Sequence, residues 1–438
     1  MTKTDVPPHE PPGAHDEAVA EQRQAMFRLL LVVLAGVFAA YALGIVKATA
    51  VILAVVVMIM LHELGHFATA KWSGMKVTEY FLGFGPRLWS IRRGETEYGI
   101  KALPLGGYVK IVGMHNLDEL QDPADEPRTY RQKSYPRRLS VAVAGTFMHF
   151  VIAFVLLIVL HSSIGLIRYD REPLLEVGEI SRLEGGGPSP AERAGFEVGD
   201  RIVTVDGQAL EDWDALPAYI QARPETPIDF VIERDGRTQS ISVVPARQLR
   251  QRVNSDGEPT GRREQVGFIG VAPAFPVEKI GFLESIPRSF GDLGLLSRET
   301  FKALGQLLSF EGLESYGEQL TSGRGPTEPQ EDQPRFLSPV GLARVASQAA
   351  DNGLRQVLML LISINIFVGI FNMFPMLPFD GGHVAIATYE AIRSKIAGRR
   401  YFADVAKLLP VTYMVFLALM FLAVTSLYLD IARPLNLQ

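Results

Sequence analysis

The chain contains no cysteine. That excludes a disulfide framework, a thiol nucleophile and any zinc site built from thiolates, so a metal held here must be held by imidazole and carboxylate. An excess of basic charge is missing too: 43 Lys and Arg stand against 48 Asp and Glu, a net charge of −5, which offers nucleic acid no basic face. What the chain does have is apolar mass. Hydrophobic residues fill 47% of its 438 positions and the mean hydropathy is +0.14, too apolar for a purely soluble protein and for wholesale disorder. The excess is concentrated in a few long runs, with most of the glycine, proline and charge between them. This distribution predicts a membrane protein with a folded insert outside the bilayer.

Residues 1–25, with Pro7, Pro8, Pro11 and Pro12 among Asp5, Glu10, Asp16, Glu17 and Glu21, cannot bury a core and read as a disordered acidic tail. The basic start and small-residue cleavage site of a secretory signal are absent, so the apolar run that follows is expected to be retained. That run, Met26 to Leu61, is broken mainly at Arg28, Gly44 and Lys47. At about 20 residues per span it holds one span from about residue 46 and room for an extra one before it. Leu139 to Gly165, Leu354 to Phe374 and Val405 to Leu429 supply three more. The expected fold class is an α-helical polytopic membrane protein with four or five transmembrane helices.

Cations near the span ends set the orientation. Lys71, Lys76, Arg131, Lys133, Arg137 and Arg138 flank one loop, and Arg393, Lys395, Arg399, Arg400 and Lys407 crowd another, which places both on the cytoplasmic side. The long segment from about 166 to 353 then lies outside. The expected division is 26–70 as the first transmembrane region, 71–138 as a cytoplasmic-side loop, 139–165 as a span and 249–353 as an outer linker. A span followed by the Asp380 motif over 354–382, a cytoplasmic loop over 383–404 and a last span over 405–429 complete it.

Within the outer segment, Ser189 to Gly207 reads as a short helix, a glycine stop and a strand ending in the Asp206-Gly207 turn. Ile228 to Arg234 and Thr238 to Val244 alternate like strands paired about Asp235-Gly236. The pattern over 173–248 resembles an α+β PDZ domain of the bacterial protease-associated kind, which implies a module that adds an extended peptide to a sheet edge. Pro287 to Phe310 carries apolar residues at helical spacing, as an amphipathic helix on the outer membrane surface or packed on that domain would. The stretch 314–335, rich in Gly, Pro, Glu and Gln, reads as a flexible linker.

Chemistry concentrates at two places. His62-Glu63-Leu64-Gly65-His66 ends an apolar run, so a helix is its natural conformation, and a spacing of four puts both imidazoles on one face. That face can chelate zinc while Glu63 beside it takes a proton from an activated water. Such residues at membrane depth are costly without a purpose. A hydrolytic zinc site needs a third protein ligand, and Asp380, His383 and His149 are the candidates. Asp380 follows two prolines in Asn372-Met373-Phe374-Pro375-Met376-Leu377-Pro378-Phe379-Asp380-Gly381-Gly382. Irregular backbone there is tolerated only if it is buried in protein or faces a wet cavity.

His62 to His66 together with Asn372, Pro375 and Pro378-Phe379-Asp380-Gly381 resembles the paired signatures of the site-2 protease family of intramembrane metalloproteases. Gly83-Phe84-Gly85-Pro86 and the stretch Gly94 to Lys110 resemble that family's membrane-associated β segment, and the likeness extends from about 46 to 430. The single PDZ-like insert, Pro378 to His383 and Lys407-Leu408-Leu409-Pro410-Val411-Thr412-Tyr413 are similar to the actinobacterial branch that processes anti-sigma factors. The resemblance implies one zinc ion on His62, His66 and Asp380, with Glu63 as catalytic base and Asn372 positioning substrate. It implies an endopeptidase of the plasma membrane that cuts single-pass transmembrane substrates after another protease has removed their outer domain. Its partners would be lipid, those substrates and a peptide or freed terminus at the PDZ domain. One position departs from the pattern: Gly145-Thr146-Phe147-Met148-His149 has histidine where many members have asparagine. His149 then either donates a hydrogen bond near substrate or is an ordinary paired helix histidine. His383, three residues past Asp380, would lie on the same helix face and help stabilise an oxyanion, or merely belong to a helix start. His9, His15, His115 and His161 receive no role. Hydrolysis requires an unwound substrate, so an edge strand within 83–112 would capture it, unless the segment is simply a hairpin lying on the membrane.

Overall fold

The structure, a computed structural model, describes residues 14–114, 120, 122–181, 183, 187–253, 259–321 and 336–432. The chain forms two units, one chiefly of Met1–Val159 with Leu283–Gly323 and Glu331–Leu435, the other chiefly of Leu160–Phe282.

The first unit opens with α1 (Ala14–Ala42) and α2 (Val46–Trp72), joined through Gly44 at φ 68°, a conformation that glycine adopts without strain. Many residues of α2 are β-branched, yet in an apolar medium only a helix satisfies a lone segment's backbone. At 1.5 Å per residue, α2 is about 40 Å long and His62 lies about 24 Å along it. Two long bent strands follow, β1 (Val77–Arg93) and β2 (Thr96–Ile111). Residues 79–82 pair on one side with 107–110 and on the other with 97–100, and 97–100 pair again with 89–92. Two strands thus make four short segments side by side, with 107–111 at one edge. That edge lies against α2: a Cβ on Gly107 would stand 3.0 Å from Met60 Sδ and 3.1 Å from Glu63 Cγ. After two 3₁₀ turns (Pro123–Arg128 and Tyr130–Gln132) comes α3 (Tyr135–Val159).

The second unit contains β3 (Leu166–Ile167), β4 (Val177–Ile180), α4 (Pro190–Ala194), β5 (Arg201–Val205), β6 (Gln208–Ala209), α5 (Ala215–Gln221), β7 (Ile228–Arg234) and β8 (Arg237–Val243). It continues with β9 (Ala246–Val253), β10 (Pro259–Phe268), β11 (Val271–Pro273) and β12 (Val277–Glu278). An antiparallel sheet of order β6-β5-β7-β8 is its centre, with β4 paired to β11, β9 to β10 and β3 to β12. Ile228, Phe230 and Ile232 alternate inward on β7 and pack with Trp213, Leu216 and Phe196. Asp206-Gly207 and Asp235-Gly236 take positive φ at both residues, as tight hairpin turns require. Ser189 caps α4, accepting the Glu192 N–H at 3.2 Å.

The chain returns to the first unit with α6 (Phe282–Leu307), α7 (Phe310–Thr321), α8 (Pro339–Asp351), α9 (Leu354–Asn372), α10 (Asp380–Ala397) and α11 (Leu409–Ala432). Among the described residues, five helices are long and apolar enough to cross a membrane, those over 23–42, 46–72, 135–164, 354–372 and 405–432. The run before residue 46 is therefore a helix of its own.

Three boundaries differ from expectation. The first helix starts at Ala14, inside the stretch 1–25 read as disordered, because Ala, Glu and Gln there are good helix formers and the helix runs on into the apolar run; residues 1–13 lie outside the described residues. The segment 383–404 is not a loop: α10 continues to Ala397 and ends at Gly398 with φ 64°. Its cations hid a helical repeat in which Gly382, Ala387 and Glu390 are buried. The segment 249–353 is mostly regular structure rather than linker, and β11 pairing with β4 carries the sheet unit past 248. Helix α6 covers most of the expected amphipathic stretch, and Phe290 meets Phe154 of α3. Of the linker read at 314–335, residues 314–321 are helical and 322–335 lie outside the described residues.

Candidate metal centre

The four-residue spacing on α2 brings His62 and His66 together as expected, with Nε2 atoms 3.2 Å apart. Asp380, the first residue of α10, reaches both: its Oδ2 lies 3.4 Å from His62 Nε2 and 3.3 Å from His66 Nε2. Ligands about 2.0–2.1 Å from a tetrahedral zinc ion stand about 3.3 Å from one another. The three separations fit that edge length. The Asp380 oxygen facing the imidazoles is buried and has no well-aligned hydrogen bond, so the donor set is arranged around a point rather than paired off. These three residues are also the group of His, Asp and Glu able to share a metal among the described residues.

The unprotonated face of His66 is aimed inward. His66 Nδ1 lies 2.7 Å from the Val141 carbonyl oxygen, which only accepts, so Nδ1 carries the proton and Nε2 presents its lone pair to the centre. Glu63, one residue from His62, is half-buried, and the Val109 backbone amide of the edge segment is its hydrogen-bond partner.

Helix α3 comes close enough to complete the wall only because of glycine. A Cβ on Gly145 would lie 2.4 Å from His62 Cε1 and 2.4 Å from His66 Nε2, and one on Gly65 would lie 2.6 Å from the Ala144 carbonyl oxygen. Small residues at such crossings let membrane helices approach. His149, one turn beyond Gly145, has its ring centroid 4.8 Å from that of His62. It donates from Nδ1 to Asn365 Oδ1 at 2.9 Å, and Asn365, fully buried on α9, donates in turn to the Leu361 carbonyl at 2.8 Å. The Nδ1 side of His149 is thus paired, beside the centre.

The turn 373–379 folds back on the start of α10. A Cβ on Gly381 would lie 2.3 Å from the Met373 carbonyl oxygen and one on Gly382 2.6 Å from the Leu377 nitrogen, so both glycines are needed for the return. Asn372 closes α9, half-buried. Among the described residues it takes no part in the hydrogen bonds around His62, His66 and Asp380. His383 lies one turn after Asp380 and lines a small cavity with Arg138, Glu390, Tyr130 and Leu377. Of the histidines given no role, His161 is buried in the second unit, and His9 and His115 lie outside the described residues. Sequence reasoning passed over Asn365 and the packing role of Gly145. A single amide midway down the apolar run from Leu354 was the available signal for the first.

Two imidazoles on a helix long and apolar enough to cross a membrane, with a carboxylate converging on them beside a glutamate, have the make-up of a metal-dependent hydrolase centre. Residues 50–419 match the family model described as Peptidase family M50, and the chain belongs to that family. It is similar to the zinc metalloprotease Rip1 of Mycolicibacterium smegmatis, 35% identical over 413 residues that cover 88% of this chain and 97% of that protein. Rip1 of Mycobacterium tuberculosis is 33% identical over 403 residues, with the same shares covered.

Proposed function

We propose that this zinc metalloprotease of the membrane cuts single-pass transmembrane proteins within the bilayer, with His62, His66 and Asp380 holding the ion and Glu63 acting as base. The observation that carries the reading is the mutual spacing of 3.2, 3.4 and 3.3 Å among the three ligand groups. When bound, zinc supplies the Lewis acidity that eases ionisation of a water and polarises the scissile carbonyl. Glu63 takes the water proton as the oxygen attacks the carbonyl carbon, and returns it to the amine nitrogen as the C–N bond breaks. His149, held by Asn365, offers Nε2 to substrate or to the developing oxyanion. Asn372 and His383 position substrate around the turn before α10.

The edge segment 107–111 runs beside Glu63, which supports its pairing with an unwound substrate as an added strand. The sheet unit is read as the PDZ domain, outside the plasma membrane, binding a freed substrate terminus. This reading draws on the short capped helix, the order β6-β5-β7-β8 and the Asp-Gly turns. The cation-rich ends of the spans support that orientation. Anti-sigma factors trimmed by an earlier protease are the proposed substrates.

The test is reconstitution in detergent with a candidate transmembrane peptide, comparing the native protein with Glu63→Gln and Asp380→Asn and measuring bound metal. Glu63→Gln is expected to keep zinc and to lose about 10²–10⁴-fold in cleavage rate, whereas Asp380→Asn loses both. The reverse pattern of metal loss would overturn the assignment. A proline introduced into the edge segment at an amide that faces away from β1 should spare zinc and abolish cleavage; undiminished cleavage counts against strand addition.

A further inference from the structure

Asp380 stands at the very start of α10, so its place is set by what holds the rest of that helix. Ten residues on, Glu390 is buried with 3% of its side chain exposed, and its Oε2 lies 2.6 Å from Nη1 of Arg138 on α3, itself 11% exposed, as a close ion pair without an aligned N–H···O bond. The Arg138 guanidinium lies 5.0 Å over the Tyr130 ring, and the Tyr130 hydroxyl donates to the Arg138 carbonyl at 3.2 Å. The other Glu390 oxygen accepts the Ala403 N–H at 2.6 Å, which fixes the chain just after α10. Two exposed ties flank the pair: Tyr135 to Thr388 at 3.2 Å and Arg400 to Gln132 at 2.8 Å. A small cavity beside the pair is also lined by His383 and Leu377, from the turns on either side of Asp380.

Helix α3 is therefore a shared frame. At Gly145 its backbone seats both imidazoles, and two turns earlier, at Arg138, it grips the helix that carries the carboxylate. We propose that the buried Arg138–Glu390 pair is a positioning lock that sets the register of α10 on α3 so that Asp380 meets His62 and His66. The proposal rests on Asp380 being a metal ligand. Glu390 is about 15 Å along the helix from Asp380, so a swing of about 4° about the lock carries the carboxylate about 1 Å, against a ligand tolerance of about 0.2 Å. Stability alone is a poor reason for the pair, since replacing a buried ion pair by apolar residues is often neutral; fixing register is its best-attested use.

The test uses the full chain in detergent and reads zinc affinity by competition with a chromogenic chelator, alongside thermal unfolding of the metal-free protein. Glu390→Gln leaves a buried guanidinium unpaired and lowers the unfolding temperature whether the pair is a lock or only a structural contact. The double variant Arg138→Met with Glu390→Met restores that temperature, and the lock predicts that its zinc affinity nevertheless stays about 10–100-fold weaker, the usual effect of losing a group that orients a ligand. Glu390→Asp, which keeps the charge but shortens the reach, is expected to weaken zinc in the same direction and serves where the double variant fails to fold. Native zinc affinity in the double variant, or in Glu390→Asp where the double does not fold, overturns the lock. Asp380→Asn runs in parallel: if it binds zinc as tightly as the native protein, the ligand assignment itself fails, whereas its loss of zinc beside a native-like double variant removes only the lock.

Discussion

Asp200 and Asp380 are carboxylates in different units, and their surroundings could hardly differ more. Asp200, 1% exposed in the sheet unit, accepts from Arg234 Nε at 2.6 Å, from Arg234 Nη2 at 2.7 Å and from the Glu197 backbone N–H at 2.8 Å. The same guanidinium donates to the Gly195 carbonyl at 2.7 Å, so carboxylate and cation together close the end of α4. Both carboxylate oxygens are used. Asp380 offers one oxygen to two imidazole nitrogens and has no aligned hydrogen bond there. A buried carboxylate whose partners all donate is structural; one whose partners are themselves lone-pair donors needs a cation between them. The difference lies chiefly in the partners' chemistry.

The contrast breaks most visibly at Gly145. Alanine is the better helix former by about 1 kcal/mol, so Gly145→Ala should leave the helix intact or firmer. Its new methyl group would nonetheless stand 2.4 Å from both His62 and His66. We expect bound zinc and cleavage to be lost while far-ultraviolet dichroism is unchanged; a fully metallated Gly145→Ala protein would show that the imidazoles are not held by α3. The matching change in the other unit has the opposite profile. Asp200→Ala removes charge-assisted bonds from a partly buried guanidinium and should cost the sheet unit about 3 kcal/mol. Zinc content should stay at the native level, and thermal unfolding together with metal analysis checks both halves.

How far each site was legible follows from the same contrast. His62, Glu63 and His66 announce themselves because four residues on a helix are one turn, a local rule that needs no tertiary knowledge. The Asp-Gly turns and the Ile228 to Arg234 strand were legible for the same reason, as period two and positive φ are local signals. Asp380 could be named a candidate from its irregular, proline-rich approach, but not chosen over His149 and His383 without the resemblance. What the sequence hides is long-range: that Gly145 faces the imidazoles, that Asn365 meets His149 across 216 residues, and that Glu390 answers Arg138. Helix α10 was missed because its cations read as a loop, although its buried positions recur at helical spacing. The β segment was visible as strand, whereas its folding into four short pieces depends on the bends at Gly83 and Gly85, whose φ values of 86° and 84° no pattern rule forecasts.

A third carboxylate, Glu126, refines the comparison because it is fully partnered yet lies near the surface. It accepts from Arg131 Nε at 3.0 Å and from Gln132 Nε2 at 2.7 Å, and these bonds, Arg131 first, bring its pKa from 4.5 down to about 2. A depressed pKa means that the folded form favours the ionised carboxylate. Its contribution is therefore complete above pH 4.5 and disappears as the pH falls toward 2. Solvent screens so exposed a group, so the effect is expected to be the smallest of the three and confined to the turns over 123–132. Amide exchange of those turns, corrected for the intrinsic pH dependence, should quicken between pH 4.5 and 2 in the native protein and show no such step in Glu126→Gln. The Asp200 network lies in the other unit and should leave that step untouched. Exchange that quickens equally in both proteins would mean that partnering at the surface, unlike partnering in the sheet core, contributes nothing measurable to holding the chain.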